Sequence, residues 1–315
     1  MHAFLERRKM KNRTDWFSEA GYGLFVHWTT YSLPEKGEKK DYFEAVQDFD
    51  IDTFVSQVVS TGAKFLFITT SHADMKLPFP LAELDAILPN HTSQRDLIGE
   101  LADRLEPQGV KLMLYFNGEG SGSTDPEWQE ITKFKTDPLT HAEYCYHIAE
   151  AISKKYGRKI HGWWIDCCYE PPVCGGRGTR YDYKRYADAL RAGNPDSIVA
   201  FNFRGTEPWG SDWGKGIADY QAGEENALAF LPEHRFDGEG ETQWFALCWM
   251  DDYWVHEKEG TPTPVYENQA ILDYVRAIKA KGGVFAYNTA PYQEGRISEP
   301  TMAQLKWLKE HGIDK

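Results

Sequence analysis

The sequence predicts a single-domain α/β protein whose parallel strands close into a (β/α)8, TIM-like barrel. Short apolar runs alternate with helical patterns along almost the whole chain, and each run is nearly continuous in its apolar character. Such runs are typical of parallel strands that helices cover on their outer face. The length of 315 residues suits a barrel of about 250 residues with added loops. The alternative is an open doubly wound sheet, which usually has a glycine-rich first turn, whereas this first strand runs into His27-Trp28-Thr29-Thr30.

Eight apolar segments are the predicted strands, and the sixth has the weakest pattern. They are residues 23–28, 64–70, 110–117, 161–168, 197–203, 217–221, 244–250 and 283–288. Apolar residues at helical spacing predict helices over residues 50–62, 95–109, 140–157, 183–193, 267–281 and 298–312. Gly62 is the predicted C-cap of the first of these helices, and Thr140 is the predicted N-cap of the third.

The pattern indicates one domain. The sequence has no internal repeat, low-complexity tract or interdomain linker, so residues 1–315 are expected to form a single catalytic domain. Residues 171–179 are rich in Gly and Pro and follow the fourth strand. We interpret them as an active-site loop rather than a domain boundary.

Charge and composition limit the classes of partner that the protein is expected to bind. The formal net charge of −13 repels phosphate, which argues against nucleic-acid and anionic-membrane partners. The N-terminal residues are basic and polar without an apolar signal core, and no stretch is apolar enough to span a bilayer, which predicts a cytoplasmic protein. Five cysteines without a regular framework suggest reduced thiols. Cys167, Cys168 and Cys174 lack a fourth soft ligand at zinc-type spacing, so no metal site is expected.

Polar side chains recur where the predicted strands end, which is where barrel enzymes place their chemistry. They are His27, Thr70, His72, Asp74, Tyr115, Asn117, Trp164, Asp166, Asn202, Arg204, Glu224 and Glu225. Side chains alternate along a strand, so Trp164 and Asp166 are expected to point into the barrel while Trp163 and Ile165 face the helices. A mouth lined with these residue types suits a polyhydroxylated substrate.

Asp166 is the most informative of these residues. It ends the apolar strand Gly162-Trp-Trp-Ile-Asp166, where an unpaired carboxylate would be unfavourable. Glycoside cleavage needs a second carboxyl group. Glu224 and Glu225 follow the sixth strand in a loop that contains Gly223, and Glu119 and Glu170 are weaker candidates. Arg204 could pair with a carboxylate or bind a sugar hydroxyl.

Several motifs occur in a recognisable order. They are Gly23-Leu-Phe-Val-His-Trp28 with Tyr31-Ser-Leu-Pro34, Thr69-Thr-Ser-His-Ala-Asp74, Gly162-Trp-Trp-Ile-Asp166, Phe201-Asn-Phe-Arg204, Asp219-Tyr-Gln-Ala-Gly-Glu224 and Gly282-Gly283 followed by Asn288 and Ala290-Pro291. With these motifs, most of the chain resembles the catalytic barrel of glycoside hydrolase family 29, the α-L-fucosidases.

The resemblance implies a retaining exo-glycosidase that removes terminal α-L-fucosyl residues by double displacement. It implies Asp166 as the nucleophile and Glu224 as the acid/base, with Glu225 as the alternative. The implied substrate contacts are His27, Trp28, Glu44, His72, Asp74, Tyr115, Asn117, Trp164, Arg204 and Trp254. The expected partner is a small-molecule or oligosaccharide substrate, and no metal or organic cofactor is expected.

The chain departs from the family pattern at three places. Ala73 follows His72 where the family has a second histidine, and Thr29 replaces a glycine after the first strand. The chain as given ends at Lys315, which leaves no room for the C-terminal β-sandwich common in the family. Two alternatives follow: an exo-glycosidase for a related sugar such as L-galactose, or a non-catalytic sugar-binding barrel.

Overall fold

The computed structural model describes residues 12–117, 125–168, 181–202, 216–224, 226–237, 242–251 and 253–315. The strands are β1 (Tyr22–Val26), β2 (Phe65–Ser71), β3 (Lys111–Phe116), β4 (Ile160–Ile165), β5 (Ile198–Phe201), β6 (Phe236–Asp237), β7 (Thr242–Gln243), β8 (Phe245–Trp249) and β9 (Val284–Thr289). The helices are α1 (Asp15–Ala20), α2 (Tyr42–Asp48), α3 (Ile51–Ser60), α4 (Ala82–Asp85), α5 (Leu97–Leu105), α6 (Pro126–Ile131), α7 (Pro138–Tyr156), α8 (Tyr183–Leu190), α9 (Asn268–Ala280) and α10 (Glu299–Glu310). Short 3-10 helices follow α5 at Glu106–Gln108 and α7 at Gly157–Lys159.

Seven strands form one parallel sheet in the order β5-β4-β3-β2-β1-β9-β8. Residues 219–224 occupy the sixth strand position between its two ends. On one side the amide of Asp219 donates to the carbonyl of Val199 in β5 at 2.8 Å. On the other side Gln221 donates to Gln243, and Leu247 of β8 donates to Gly223 at 2.7 Å. The sheet therefore closes into the predicted (β/α)8-like barrel.

The sixth strand is the least regular, as its sequence pattern predicted. It makes isolated bridges, Tyr220 to Gln243 and Glu224 to Leu247, rather than a continuous ladder. Gly223 lies between them with a φ of +65°, which an extended strand does not adopt. The bonded residues are 219–224. The predicted range 217–221 overlaps this segment but begins two residues and ends three residues too early.

Two hydrophobic clusters lie on the two faces of this closed sheet. The inner cluster contains Phe25, Phe67, Met113, Tyr115, Trp164, Ala200, Tyr220, Leu247 and Ala286. The outer cluster contains the alternate strand residues, such as Leu24, Leu66 and Trp163, together with apolar residues of the covering helices. Trp163 and Ile165 lie in the outer cluster and Trp164 in the inner one, so the predicted alternation of β4 is confirmed.

The N-terminal end of the barrel is filled by an element that the sequence analysis did not identify. Helix α1 places Phe17 in the inner cluster, with its ring centroid 4.8 Å from that of Phe65 and 5.5 Å from that of Phe245. Both partners are the first residues of their strands. Because this end is filled with aromatic rings, the accessible opening lies at the C-terminal ends of the strands.

The N-caps lie within one residue of the predicted helix starts, except at α7. Asp50, Asp96, Asp182 and Ser298 cap the starts of α3, α5, α8 and α10 with their side chains. The predicted N-cap Thr140 was wrong, because Asp137 accepts from the Thr140 amide at 3.1 Å and α7 starts at Pro138. The predicted C-cap Gly62 was wrong by one position, because Thr61 is the C-cap of α3 and Gly62, at a φ of +78°, directly follows it.

Two further observations concern membrane-spanning helices and thiols. Among the described residues, no helix combines the length and apolar character that crossing a membrane requires. The described cysteines, Cys145, Cys167, Cys168 and Cys248, form no disulfide with one another, which agrees with the expectation of reduced thiols.

We predict that Gly223→Ala destabilises the barrel and reduces activity. A Cβ there would lie 2.0 Å from the carbonyl oxygen of Phe245, so β8 or the segment bearing Glu224 has to move. Gly37→Ala is the control, because Gly37 also has a positive φ, +88°, but has open space around it. The control isolates the backbone strain, about 1–2 kcal/mol. Urea unfolding should show a clearly larger loss for Gly223→Ala, and equal losses in the two variants would contradict the close packing.

Candidate active site

The carboxylate of Asp166 lies at the mouth of the barrel, directly after β4. Its Oδ2 accepts a hydrogen bond from the Tyr115 hydroxyl at 2.6 Å. Its Oδ1 accepts from Asn202 Nδ2 at 2.9 Å and from the Cys167 amide at 2.8 Å. These three donors, from β3, from the end of β5 and from the adjoining peptide, hold the carboxylate in one orientation.

Backbone strain contributes to this arrangement. Cys167 has a φ of +61°, in the left-handed region that residues other than glycine rarely adopt. Such a conformation costs of order 1–3 kcal/mol and occurs most often at functional sites. Here it turns the Cys167 amide back toward the preceding side chain, where it donates to Asp166 Oδ1.

Asn202 joins Asp166 to a second carboxylate. Its Nδ2 also donates to Oε2 of Glu224 at 2.9 Å. Only the amide nitrogen can face two carboxylate oxygens, because the amide oxygen has no hydrogen to donate. Two bonds of 2.9 Å from one atom limit the distance between the carboxylate oxygens to about 5.8 Å, twice 2.9 Å. Because the two N–H bonds of a planar amide diverge by about 120°, the expected distance is about 5 Å.

His27 is a neutral, buried part of the same mouth. It is 4 % exposed, and its Nδ1 lies 2.6 Å from Oδ1 of Asn288. Asn288 Nδ2 donates to the carbonyl of Trp254 at 2.9 Å, which fixes the amide with its oxygen toward His27. Nδ1 of His27 therefore carries the proton, and Nε2 is an acceptor. Burial, and secondarily the proximity of His72, lower the pKa of His27 to about 3.

His72 lies beside His27 and has unused hydrogen-bonding capacity. The two ring centroids are 5.7 Å apart in an edge-on arrangement, and the ring of Tyr115 lies 5.9 Å from His72. Burial lowers the pKa of His72, while the carboxylates of Asp166, Asp74 and Glu257 oppose that change. Its Nδ1 is buried and bonds to no other described residue. Asn117 Nδ2 donates to the His72 carbonyl at 2.7 Å, so the backbone is fixed while the ring nitrogen is left for a ligand.

Aromatic rings form the floor and one wall. Trp164 is 2 % exposed, stacks on Tyr115 at 5.3 Å and donates to the carbonyl of Ala222, so it supports Tyr115 from below. Trp254 is half-buried, with its ring centroid 5.4 Å from His27 and 5.3 Å from Trp249. Trp254 and Trp249 together offer an apolar wall at the mouth.

Three predicted contacts lie away from this centre. Trp28 is 1 % exposed and packs in the outer cluster against Tyr42 and Phe49, because it follows the inward-facing His27 and therefore points outward. Asp74 accepts from Thr30 Oγ1 at 2.7 Å and lines a small recess with His72. Glu44 is exposed in the first turn of α2.

Other candidates cannot be placed. Arg204 and Glu225 lie outside the described residues, as do Glu119, Glu170 and residues 171–179. Among the described residues, no group of three or more His, Cys, Asp or Glu side chains could hold a metal ion.

Sequence reasoning assigned no contact to Trp249 or Asn288, and only a strand-end position to Asn202. Each follows an inner-cluster residue by two positions: Ala200 in β5, Leu247 in β8 and Ala286 in β9. The period-two rule predicts the inward direction of Trp164 and Asp166 in β4. Applied to the last two strands as well, it would have placed Trp249 and Asn288 at the mouth.

Comparison with known proteins identifies a family and similar structures. The model of the family described as alpha-L-fucosidase matches residues 40–312. Bovine (Bos taurus) tissue alpha-L-fucosidase is 22% identical over 94% of this chain and 67% of its own length. Alpha-L-fucosidase isoenzyme 1 from Paenibacillus thiaminolyticus has a similar structure, with a TM-score of 0.70, 20% identity, and coverage of 95% of this chain and 75% of its own. The structure of alpha-L-fucosidase AlfC from Lactobacillus casei with its alpha-L-fucose product gives a TM-score of 0.66, 18% identity, and coverage of 96% and 98%.

The buried neutral state of His27 makes stability depend on pH. The unfolded state takes up a proton near pH 6.5, whereas the folded state does so only near pH 3, so stability falls as pH decreases through this window. We predict that the free energy of unfolding of the wild type falls by up to about 1.4 kcal/mol more per pH unit than that of His27→Gln. Chemical unfolding from pH 7 to pH 4 measures this difference.

The comparison between variants is needed because another group acts with the opposite sign. Burial raises the pKa of Asp251 to about 6, so its contribution grows as pH falls from 6 toward 3.8. That contribution is present in both proteins and cancels in the difference. Parallel pH curves for wild type and His27→Gln would contradict a neutral buried His27.

Proposed function

Since the chain belongs to the α-L-fucosidase family and is a glycoside hydrolase, we propose that it removes terminal α-L-fucosyl residues from glycans with retention of anomeric configuration. The observation that carries the stereochemical part is the pair of 2.9 Å hydrogen bonds from Asn202 to Asp166 and Glu224. The proposal also includes the absence of a cofactor requirement, because acid/base and nucleophilic chemistry by two carboxyl groups suffices.

The spacing of the two carboxylates favours retention over inversion. Retaining glycosidases hold these groups about 5–5.5 Å apart, whereas inverting enzymes separate them by about 6.5–9.5 Å to admit a water molecule. The Asn202 bridge allows at most about 5.8 Å between the two bonded oxygens, twice 2.9 Å. At this separation a water molecule does not fit between the anomeric carbon and the carboxylate on the opposite side from the leaving group. That carboxylate must therefore attack the sugar itself.

Asp166 is the nucleophile in this proposal. Its carboxylate forms a bond to the anomeric carbon as the glycosidic C–O bond breaks, and Glu224 transfers its proton to the departing oxygen. Glu224 then takes a proton from water, whose oxygen attacks the anomeric carbon and releases Asp166. The bonds from Tyr115, Asn202 and Cys167 fix Asp166 before substrate arrives, which reduces the reorganisation needed in the transition state.

The remaining side chains of the mouth suit a 6-deoxy sugar. His27 and His72 are neutral by burial, so their ring nitrogens can accept from or donate to hydroxyl groups without attracting a charged ligand. The apolar wall of Trp249 and Trp254 suits the methyl group and the apolar face of a fucosyl ring. Two neutral donors or acceptors beside an aromatic wall are the features that orient a monosaccharide in a pocket.

Two carboxylate variants test the roles. We predict that Asp166→Ala lowers kcat about 1,000-fold or more with 4-nitrophenyl α-L-fucoside. Azide should rescue it by forming the β-fucosyl azide, since azide then replaces the nucleophile. Glu224→Ala should instead give the α-fucosyl azide, because the covalent intermediate still forms. Proton NMR of the wild-type reaction should show α-L-fucose first.

Two results would contradict the proposed mechanism. Wild-type turnover in Asp166→Ala would remove the nucleophile assignment, and β-L-fucose as the first product would show inversion. A panel of nitrophenyl glycosides tests the sugar, because preference for a different glycoside would reject the fucosyl specificity while leaving the hydrolase assignment intact.

Asn202 is a positioning residue in this proposal, because it donates to both Asp166 and Glu224. The contribution of each hydrogen bond can be separated by comparing substrates whose leaving groups differ in their need for a proton. We predict that Asn202→Ala lowers kcat/KM for a fucosyl disaccharide about 100-fold or more, but lowers it much less for 2,4-dinitrophenyl α-L-fucoside. The disaccharide needs the proton of a well-placed Glu224, whereas dinitrophenolate leaves without one.

Tyr115→Phe is the matched control, because it removes one donor from Asp166 alone. Its losses should be similar for both substrates. Asn202→Asp keeps the shape but lacks the two donors, so it should not restore the disaccharide activity. Equal losses on both substrates in Asn202→Ala would show that the amide does not position Glu224.

A further inference from the structure

A second cavity lies on the other side of the segment that carries Trp254. An open cavity of about 430 Å³, which we call the loop pocket, is lined by Asp251, Tyr253, residues 255–265 and Ala290. Trp254 is not among its lining residues, since its ring contacts His27 and Trp249 instead. Asp166 and Glu224 do not line it either. The segment therefore separates the barrel mouth on one face from the loop pocket on the other.

The walls of the loop pocket are fixed by hydrogen bonds to the barrel. Val255 bridges to His27, and the Leu33 amide donates to the carbonyl of His256 at 2.8 Å. Val265 donates to Met250 at 2.9 Å, and Ser298 Oγ donates to the carbonyl of Pro262 at 2.6 Å. These bonds run from the two ends and the middle of the segment, so the cavity is formed before any ligand arrives.

His256 contributes an imidazole ring to the wall of the loop pocket. It is 7 % exposed and lines the pocket, yet neither ring nitrogen hydrogen-bonds to any described residue. Its ring packs edge-on against Tyr292 at 5.2 Å. Burial lowers the pKa of His256, and Glu294 opposes this, so the ring offers one donor and one acceptor. These nitrogens are not fully enclosed, so hydroxyl groups of a ligand can bond to them in place of water.

The other lining residues indicate the chemistry of the ligand. Tyr253 is 43 % exposed and presents an aromatic face, with Lys258 Nζ 5.6 Å from its ring centroid. Asp251 accepts from Thr301 and from the Ala290 amide, and its carboxyl oxygens retain further acceptor capacity. An aromatic face beside carboxyl, imidazole and threonine hydroxyl groups suits a ring that carries several hydroxyls.

The charge and volume of the loop pocket limit the class of ligand that it can bind. Among the described lining residues, Asp251, Glu257 and Glu259 are accompanied by one cation, Lys258, so an anionic ligand would meet net repulsion. The volume falls within the range of about 300–1,000 Å³ that is typical of small-molecule sites. We propose that the loop pocket binds a neutral pyranose unit, at a position separate from the sugar held in the barrel mouth.

Direct binding tests this without relying on turnover. The probes are methyl α-L-fucoside, methyl β-D-galactoside and methyl N-acetyl-β-D-glucosaminide, with methyl β-D-glucuronide as the anionic comparison. Saturation-transfer NMR and calorimetry on the full chain should show millimolar binding of at least one neutral probe. That binding should persist in His72→Ala, because His72 does not line the loop pocket, and should weaken at least 10-fold in His256→Phe and Tyr253→Ala.

The two pocket variants are chosen to fold. Phenylalanine keeps the ring that packs on Tyr292 but removes both nitrogens, and Tyr253 is exposed. Unchanged melting temperatures and unchanged turnover of a small aryl fucoside would show that the fold and barrel mouth are intact. The proposal is overturned if no neutral probe binds, if only the glucuronide binds, or if neutral binding is unchanged in both variants. A chain that failed to hydrolyse fucosides could still pass this test.

Discussion

The closed ring of parallel strands is the constraint on which the rest of the structure depends. Once the sheet closes, every strand residue faces either the barrel interior or the helices, and the choice alternates along the strand. The interior is filled by aromatic and aliphatic side chains up to Trp164 and Leu247. The next inward positions, occupied by Asp166, Glu224 and Trp249, therefore open at the mouth with a rigid floor beneath them.

The regular part of this fold could be predicted because it depends on local pattern. Continuous apolar runs located seven strands and the large helices, since these elements bury one or both faces. The pattern was less informative where tertiary contacts decide the structure. The segment 219–224 is held by bonds to β5 and β8 rather than by strand propensity, and α1 is a six-residue helix that exists because Phe17 packs under the barrel. Thr140 and Asp137 are both good capping residues, and only the bond geometry distinguishes them.

The site was predictable to the extent that position in a strand determines it. Asp166 and Glu224 meet at one amide, which their separation of 58 positions in sequence does not reveal. Trp28 shows the limit of motif matching, because it follows His27 in the same motif yet lies on the opposite face of the sheet. Asn202 shows the complementary limit: amides occur at many loop positions, and only its two bonds identify it as the link between the carboxylates.

Unpartnered polar groups need a second observation before they indicate a binding site. His161 also has a buried Nδ1 with no partner among the described residues, and burial lowers its pKa to about 4. It lies at the N-terminal end of β4, however, where its ring packs near Trp16 at the filled end of the barrel. His72 and His256 differ because His72 lines a small recess and His256 lines the loop pocket, in both cases beside hydroxyl groups and aromatic rings. An unmet hydrogen bond alone does not identify a ligand-binding histidine. Adjacent space and complementary polar and aromatic groups distinguish such a histidine from one that is only buried.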